Sequence, residues 1–290
     1  MSPRTQRPVP RTARRTGRRA SGRLSNGMIV VLSGGPVDSL NPREVRDRMN
    51  QYIADVNNDP FVIEHTKGKG LTFKLLAGQK ERYLHQTTWR KVCAKLKALR
   101  PSPLIVVGHS NGGAAAMSLA RCIGEAGIEI DLLFSADSVF TLDDLGDPNE
   151  VPANVGFNVN SYVIPTEEFW ICPFPIGRRN RRESGPALDR LVNIGLEYHL
   201  GGCMAHRNAF YELAGGDETD SGHLRPHLLL DTTIAVLRGE PLNAILDAMR
   251  LSLQELATKS RIRIEFETKG RRETILPRRT AAAQRQALVR

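Results

Sequence analysis

The chain has 290 residues, 40% of them hydrophobic, and a formal net charge of +10. This is enough apolar material for a full core, which excludes a collagen-like or wholly disordered protein. Its longest apolar runs, such as Met28 to Leu32 and Leu104 to Val107, fall far short of the roughly 20 residues a membrane-crossing helix needs. No apolar stretch of leader length follows the arginine-rich beginning, so neither a transmembrane segment nor a cleaved signal peptide is expected.

Residues 1–23 contain eight arginines and no acid, and an arm of this composition, bounded at 1–24, is expected to be disordered. At the other end, residues 259–290 hold ten Lys or Arg against three Glu and read as a basic tail. The two ends carry +8 and +7, which leaves the middle at −5. A single globular domain over 25–258 is expected between them. The arms suit a non-specific anionic partner, a nucleic acid or a membrane surface, held by charge contacts that salt weakens. Aromatic residues make up only 6% and none lies in the arginine run, so base-specific recognition is not expected.

Within the domain, Met28 to Gly35 reads as a buried strand ending in glycines. Asn41 and Pro42 then supply a helix cap and a first helical residue. Phe61 to His65 is a second strand, and Leu71 to Leu76 an edge or hairpin strand. His85 to Arg100 is amphipathic, with Trp89, Val92, Leu96 and Leu99 on one face. Pro103 to Ser110 is a strand broken at glycine, followed by the small-residue helix that starts at Asn111. Ile128 to Phe140 and Val155 to Pro165 supply further strands, and the segment from His227 to Ala257 reads as two helices separated at Gly239 to Pro241. Strands alternating with helices predict a mostly parallel sheet with helices on both faces. The stretch around 168–186 mixes aromatics, prolines and arginines and reads as a lid insertion or a surface loop. Cys93, Cys122, Cys172 and Cys203 show no C-x-x-C and no paired Cys/His spacing. Reduced thiols in a cytoplasmic chain are expected, with a Cys172–Cys203 disulfide as the alternative. No metal site and no cofactor motif is present in the sequence.

The motif with chemical content is Gly108-His109-Ser110-Asn111-Gly112. Glycines two before and two after a serine allow a sharp strand-to-helix turn that leaves no room for side chains. By this motif and its setting the chain resembles the α/β-hydrolase family over roughly residues 28–240. The resemblance implies an α/β-hydrolase-like fold and a serine nucleophile, Ser110, that attacks the carbonyl of a small acyl substrate, with no cofactor. It also implies an oxyanion hole from the backbone N–H of Asn111 and of Gly35, or of Val37 should Gly35 be turned away, since Pro36 has no N–H. In that family an acid and then a histidine follow the serine. His223, in a polar loop just ahead of a helix, is the expected general base and His227 the alternative. Asp137, closing the strand after the serine's helix, is the expected acid, with Glu167 (beside Glu168) as the alternative, because a buried aspartate there needs a partner. A second class remains open: a catalytically weak or inactive hydrolase-fold protein whose basic arms dock it to nucleic acid, membrane or a larger assembly.

Overall fold

Leu104, Ile105, Val106 and Val107 are all buried, as a strand covered on both faces must be, and they lie inside one sheet of eight described strands. The computed structural model describes residues 28–32, 62–66, 80–109, 111–138, 147, 149–164, 178–182, 190–197 and 228–277. Chain order gives strands Met28–Leu32 (β1) and Val62–Thr66 (β2), helix Lys80–Leu99 (α1), strand Leu104–His109 (β3), helix Asn111–Gly124 (α2) and strand Leu132–Ala136 (β4). Then follow Glu150–Val151 (β5), Asn158–Val163 (β6), Arg181–Arg182 (β7) and Leu191–Glu197 (β8). Helices Leu228–Leu237 (α3) and Leu242–Ser260 (α4) precede the strands Arg263–Thr268 (β9) and Arg271–Ile275 (β10).

The sheet order is β2-β1-β3-β4-β6-β8-β9-β10. From β2 to β8 every pairing is parallel, and β9 and β10 are added antiparallel. The two sides of β1, β3, β4 and β8 feed two cores. Ile105 and Val107 of β3 join Leu228 and Leu229 of α3 and Leu246, Met249 and Leu253 of α4. Leu104 and Val106 join Val92 and Leu96 of α1 and Ala116, Met117, Ala120 and Ile123 of α2. Helices therefore cover both faces of a mostly parallel sheet, the expected α/β-hydrolase-like architecture.

Two expectations are corrected here. Cys93 and Cys122 form a disulfide (S–S 2.01 Å, Cα–Cα 6.3 Å). Helices α1 and α2 lie together against β1 and β3, which brings together two cysteines 29 apart in sequence; sequence spacing alone carries no trace of that meeting. The argument from reduced thiols to a cytoplasmic chain therefore fails for this pair, while Cys172 and Cys203 lie outside the described residues. The span expected to be a basic tail also contributes structure, because residues 263–275 form a hairpin that extends the sheet from β8. Its inward residues Ile264, Phe266 and Ile275 are buried against α4, which anchors a stretch whose charge alone suggests solvent.

Smaller differences have equally local causes. Trp89, Val92 and Leu96 face the core as the helical spacing predicts, but Leu99 is 45% exposed, since the helix ends there and Arg100 turns the chain with a positive φ of 46°. Strand β8 is not evident in the sequence because Asn193 and Gly195 interrupt its apolar run.

Asn193 belongs to a polar layer. Ser135, Asn160 and Asn193 stand side by side across β4, β6 and β8, and residues 178–182 cover them. The Asn180 backbone N–H donates to Asn193 Oδ1 (2.8 Å), and its side-chain amide donates to Ser135 Oγ (2.9 Å) and Asn158 Oδ1 (3.0 Å). Asn193 Nδ2 returns a bond to the Asn180 carbonyl (3.0 Å), and Asn160 Nδ2 donates to the Arg178 carbonyl (2.9 Å). Buried amides need such partners, so the polar side of these three strands selects one covering segment.

Among the described residues no helix is long and apolar enough to cross a membrane.

Candidate active site

The chain has a single residue, Ser110, in which to pass from β3 to α2. Ser110 itself lies outside the described residues, and so do Gly35, Val37, Glu167, Glu168, His223 and His227. Its flanks are described. A Cβ added to Gly108 would stand 2.5 Å from the Gly112 carbonyl oxygen and 2.8 Å from the Gly113 Cα. Real side chains do not approach backbone that closely, so the strand end and the helix start touch through glycine alone. This is the backbone economy a nucleophile turn demands. The Asn111 backbone opens α2, whose first-turn N–H groups carry the positive end of the helix dipole. The side chain at 109 follows Ile105 and Val107 in strand alternation, so the buried His109 belongs to the face covered by α3 and α4.

Asp137 ends the neighbouring strand at the same, carboxyl, edge of the sheet. It is 1% exposed and has a positive φ of 41°, a conformation that costs a non-glycine residue about 1–2 kcal/mol and that aspartate tolerates better than most. Its N–H still donates to the Ser161 carbonyl (2.6 Å). The next ladder position is different, because the Val163 N–H donates to Asp137 Oδ1 (3.1 Å). The carboxylate has taken the bond that a backbone carbonyl takes in a regular parallel ladder. The twist at Asp137 thus removes the backbone from the sheet and puts the acid in its place.

Ser138 follows, 3% exposed, with its Oγ buried and lacking a hydrogen-bond partner among the described residues. A Cβ on Gly113 would stand 2.0 Å from that oxygen. Ser138 is therefore wedged against the first turn of α2, so Asp137 and the start of α2 cannot move far apart. Sequence reasoning did not single out Ser138 or Gly113 for this contact; the Gly112-Gly113 doublet was the available signal.

On the other side of Asp137, Tyr162 precedes Val163. Its hydroxyl accepts from Arg179 Nε (2.7 Å), and a side chain at Gly195 would stand 2.8 Å from the same oxygen. Arg179 also reaches Glu265 (2.6 Å) and Glu267 (3.5 Å) on β9. Burial pushes the Tyr162 hydroxyl's pKa up, partly offset by the bond from Arg179. In the sequence Arg179 is one arginine of a stretch that reads as a lid insertion or a surface loop. Its described neighbourhood ties residues 178–182 to the sheet.

The structure thus brings together the Gly108 and Gly112 flanks, Asn111 and Asp137 at one edge. Among the described residues no cluster of metal-binding side chains occurs.

Comparison with protein-family models finds no match, and comparison with curated proteins finds none. Among solved structures, a protein from Xanthomonas campestris pv. campestris assigned to the alpha/beta superfamily of hydrolases is similar at 14% identity, with a TM-score of 0.31 over 47% of this chain and 71% of that one. RedJ, crystallised with a polyethylene glycol molecule in its active site, is similar at 13% identity, with a TM-score of 0.35 over 76% of this chain and 95% of its own. Likenesses this low do not bear on activity, and the fold rests on the strand order and the two helix layers.

Proposed function

We propose that the chain is a serine hydrolase that cleaves a carboxylic ester, thioester or amide through an acyl-enzyme. The observation that carries this reading is the glycine-only contact between β3 and α2, which flanks Ser110 at the sheet edge where the strained, buried Asp137 ends the next strand. In this reading His223 takes the proton of Ser110 as its oxygen attacks the carbonyl carbon. The N–H groups of Asn111 and Gly35 receive the negative charge that develops on the carbonyl oxygen. The tetrahedral species collapses, His223 protonates the leaving alcohol, thiol or amine, and a water activated by the same histidine hydrolyses the acyl-serine. Asp137 holds the imidazole in the tautomer that accepts the serine proton.

A fluorophosphonate probe with a panel of nitrophenyl esters tests this directly. Ser110→Ala is expected to abolish labelling and lower kcat by about 10⁴-fold or more. His223→Ala should do nearly the same, while His227→Ala keeps most of the activity. Asp137→Asn should lower kcat by orders of magnitude with little change in Tm. Activity lost in His227→Ala or Glu167→Gln in place of the expected variants would move those roles. Full hydrolysis by Ser110→Ala would end the proposal, and a wild-type protein that neither labels nor turns over would favour a binding protein docked through its basic arms.

A further inference from the structure

A groove of about 750 Å³ runs between the first half of α4 and the β9–β10 hairpin, within the size range of small-molecule sites. It lies at the far end of the sheet from the candidate active site. Thr268, on its wall, pairs with Val192 at the beginning of β8, whereas Ser110 and Asp137 follow the carboxyl ends of β3 and β4.

The charges of this groove do not cancel locally. Its two carboxylates, Asp247 and Glu273, both accept from Arg250 (2.8 and 2.5 Å), whose guanidinium also lies over the Phe266 ring. Arg272 is directed to Glu265 and Glu267 (3.7 and 3.6 Å). Lys269 and Arg271 make no ion pair with a carboxylate among the described residues, although both line the groove. Lys269 Nζ donates to Asn243 Oδ1 (3.0 Å), which holds the ammonium beside the first turn of α4. Arg271 is the cross-strand partner of Thr268, which also lines the groove.

The turn adds an independent observation. Lys269 and Gly270 have φ of 51° and 70°, the two positive values of a type I′ hairpin turn, whose first central position favours Asn, Asp or Gly. A lysine there works against the turn's own preference.

We propose that this groove binds the phosphate group of a small phosphorylated molecule, with Lys269 and Arg271 as its charged donors. Two cations without acidic partners among the described residues match a dianion, and the guanidinium fork suits phosphate oxygens. The groove is much larger than a phosphate, so the remainder of its volume receives the organic part.

Calorimetric titration and thermal shift with inorganic phosphate and pyrophosphate, at constant ionic strength set by sodium chloride, test the assignment on the full chain. Saturable binding with a rise in Tm is expected, weakened at least tenfold by Lys269→Asn and by Arg271→Gln. Lys269→Asn suits the positive φ, so its Tm without phosphate should be unchanged or higher, and it decides the matter alone if Arg271→Gln folds poorly. A response that never saturates, or that equal chloride reproduces, overturns the site. So does undiminished affinity in Lys269→Asn. Binding is read without turnover, so the result does not depend on the hydrolase proposal.

Discussion

Gly113 and Gly108 occupy equally crowded places for different reasons, and the difference is measurable. At Gly113 an added methyl meets the Ser138 side chain, Oγ at 2.0 Å and Cβ at 2.8 Å. At Gly108 it meets the backbone of Gly112 and Gly113. Each Gly→Ala change is expected to destabilise by about 1–3 kcal/mol or more, as overpacking does. Adding Ser138→Gly should recover part of the loss in Gly113→Ala and none of it in Gly108→Ala, which denaturant midpoints at constant m would show. Equal recovery in both would mean that the helix start tilts to absorb either methyl. Asp137 illustrates a different residue-scale device. Its left-handed backbone and its side-chain bond to Val163 keep the ladder satisfied while freeing the chain to leave the sheet.

At the scale of elements, the disulfide between α1 and α2 makes the plainest forecast. Closing a loop of 29 residues should contribute about 2–4 kcal/mol, mainly by restricting the unfolded chain. Cys93→Ser with Cys122→Ser should lower the denaturant midpoint accordingly, and alkylation of denatured, unreduced protein should leave Cys93 and Cys122 unmodified. Modification of both thiols would remove this clamp from the account. The same pair shows why elements were legible in the sequence and their meetings were not. Strands β1, β3, β4 and β6 and helices α2, α3 and α4 announce themselves through apolar runs, the glycine break at Gly108 and the Gly239 to Pro241 separator. Each signal is local. Strand β8 carries one asparagine, Asn193, that only makes sense beneath Asn180, and the β9–β10 hairpin alternates Ile264 and Phe266 with Glu265 and Glu267 inside a stretch dominated by basic charge. Of the site, the serine turn was legible because glycine spacing encodes backbone geometry. Asp137 was legible as a strand-ending acid, but its exchange of a ladder carbonyl for a carboxylate depends on Val163, 26 residues away.

Across the whole molecule, stability should depend on pH at the alkaline end. An unfolded tyrosine ionises near pH 10.0, and burial raises the Tyr162 value above that, with the Arg179 bond opposing. Below that range both states keep the proton and Tyr162 adds no slope. As pH rises past it, the unfolded chain loses the proton first, so unfolding becomes progressively easier until the folded protein also releases it. Urea titrations between pH 9 and 11.5, a window set by the ordinary tyrosine value, should show stability falling with pH, with a smaller fall in Tyr162→Phe. An identical slope in that variant would assign the effect to other groups.

The final strand has a consequence for the molecule among its own copies. Among the described strands β10 is the outermost member of the sheet, and its first four residues, Arg271, Arg272, Glu273 and Thr274, are exposed. An unpaired sheet edge invites another chain to add to it, which is how ordered aggregates grow. Here an incoming strand would have to strip water from two guanidinium groups and a carboxylate before gaining a single ladder bond. The protein closes its largest sheet with a sequence too polar to serve as a template.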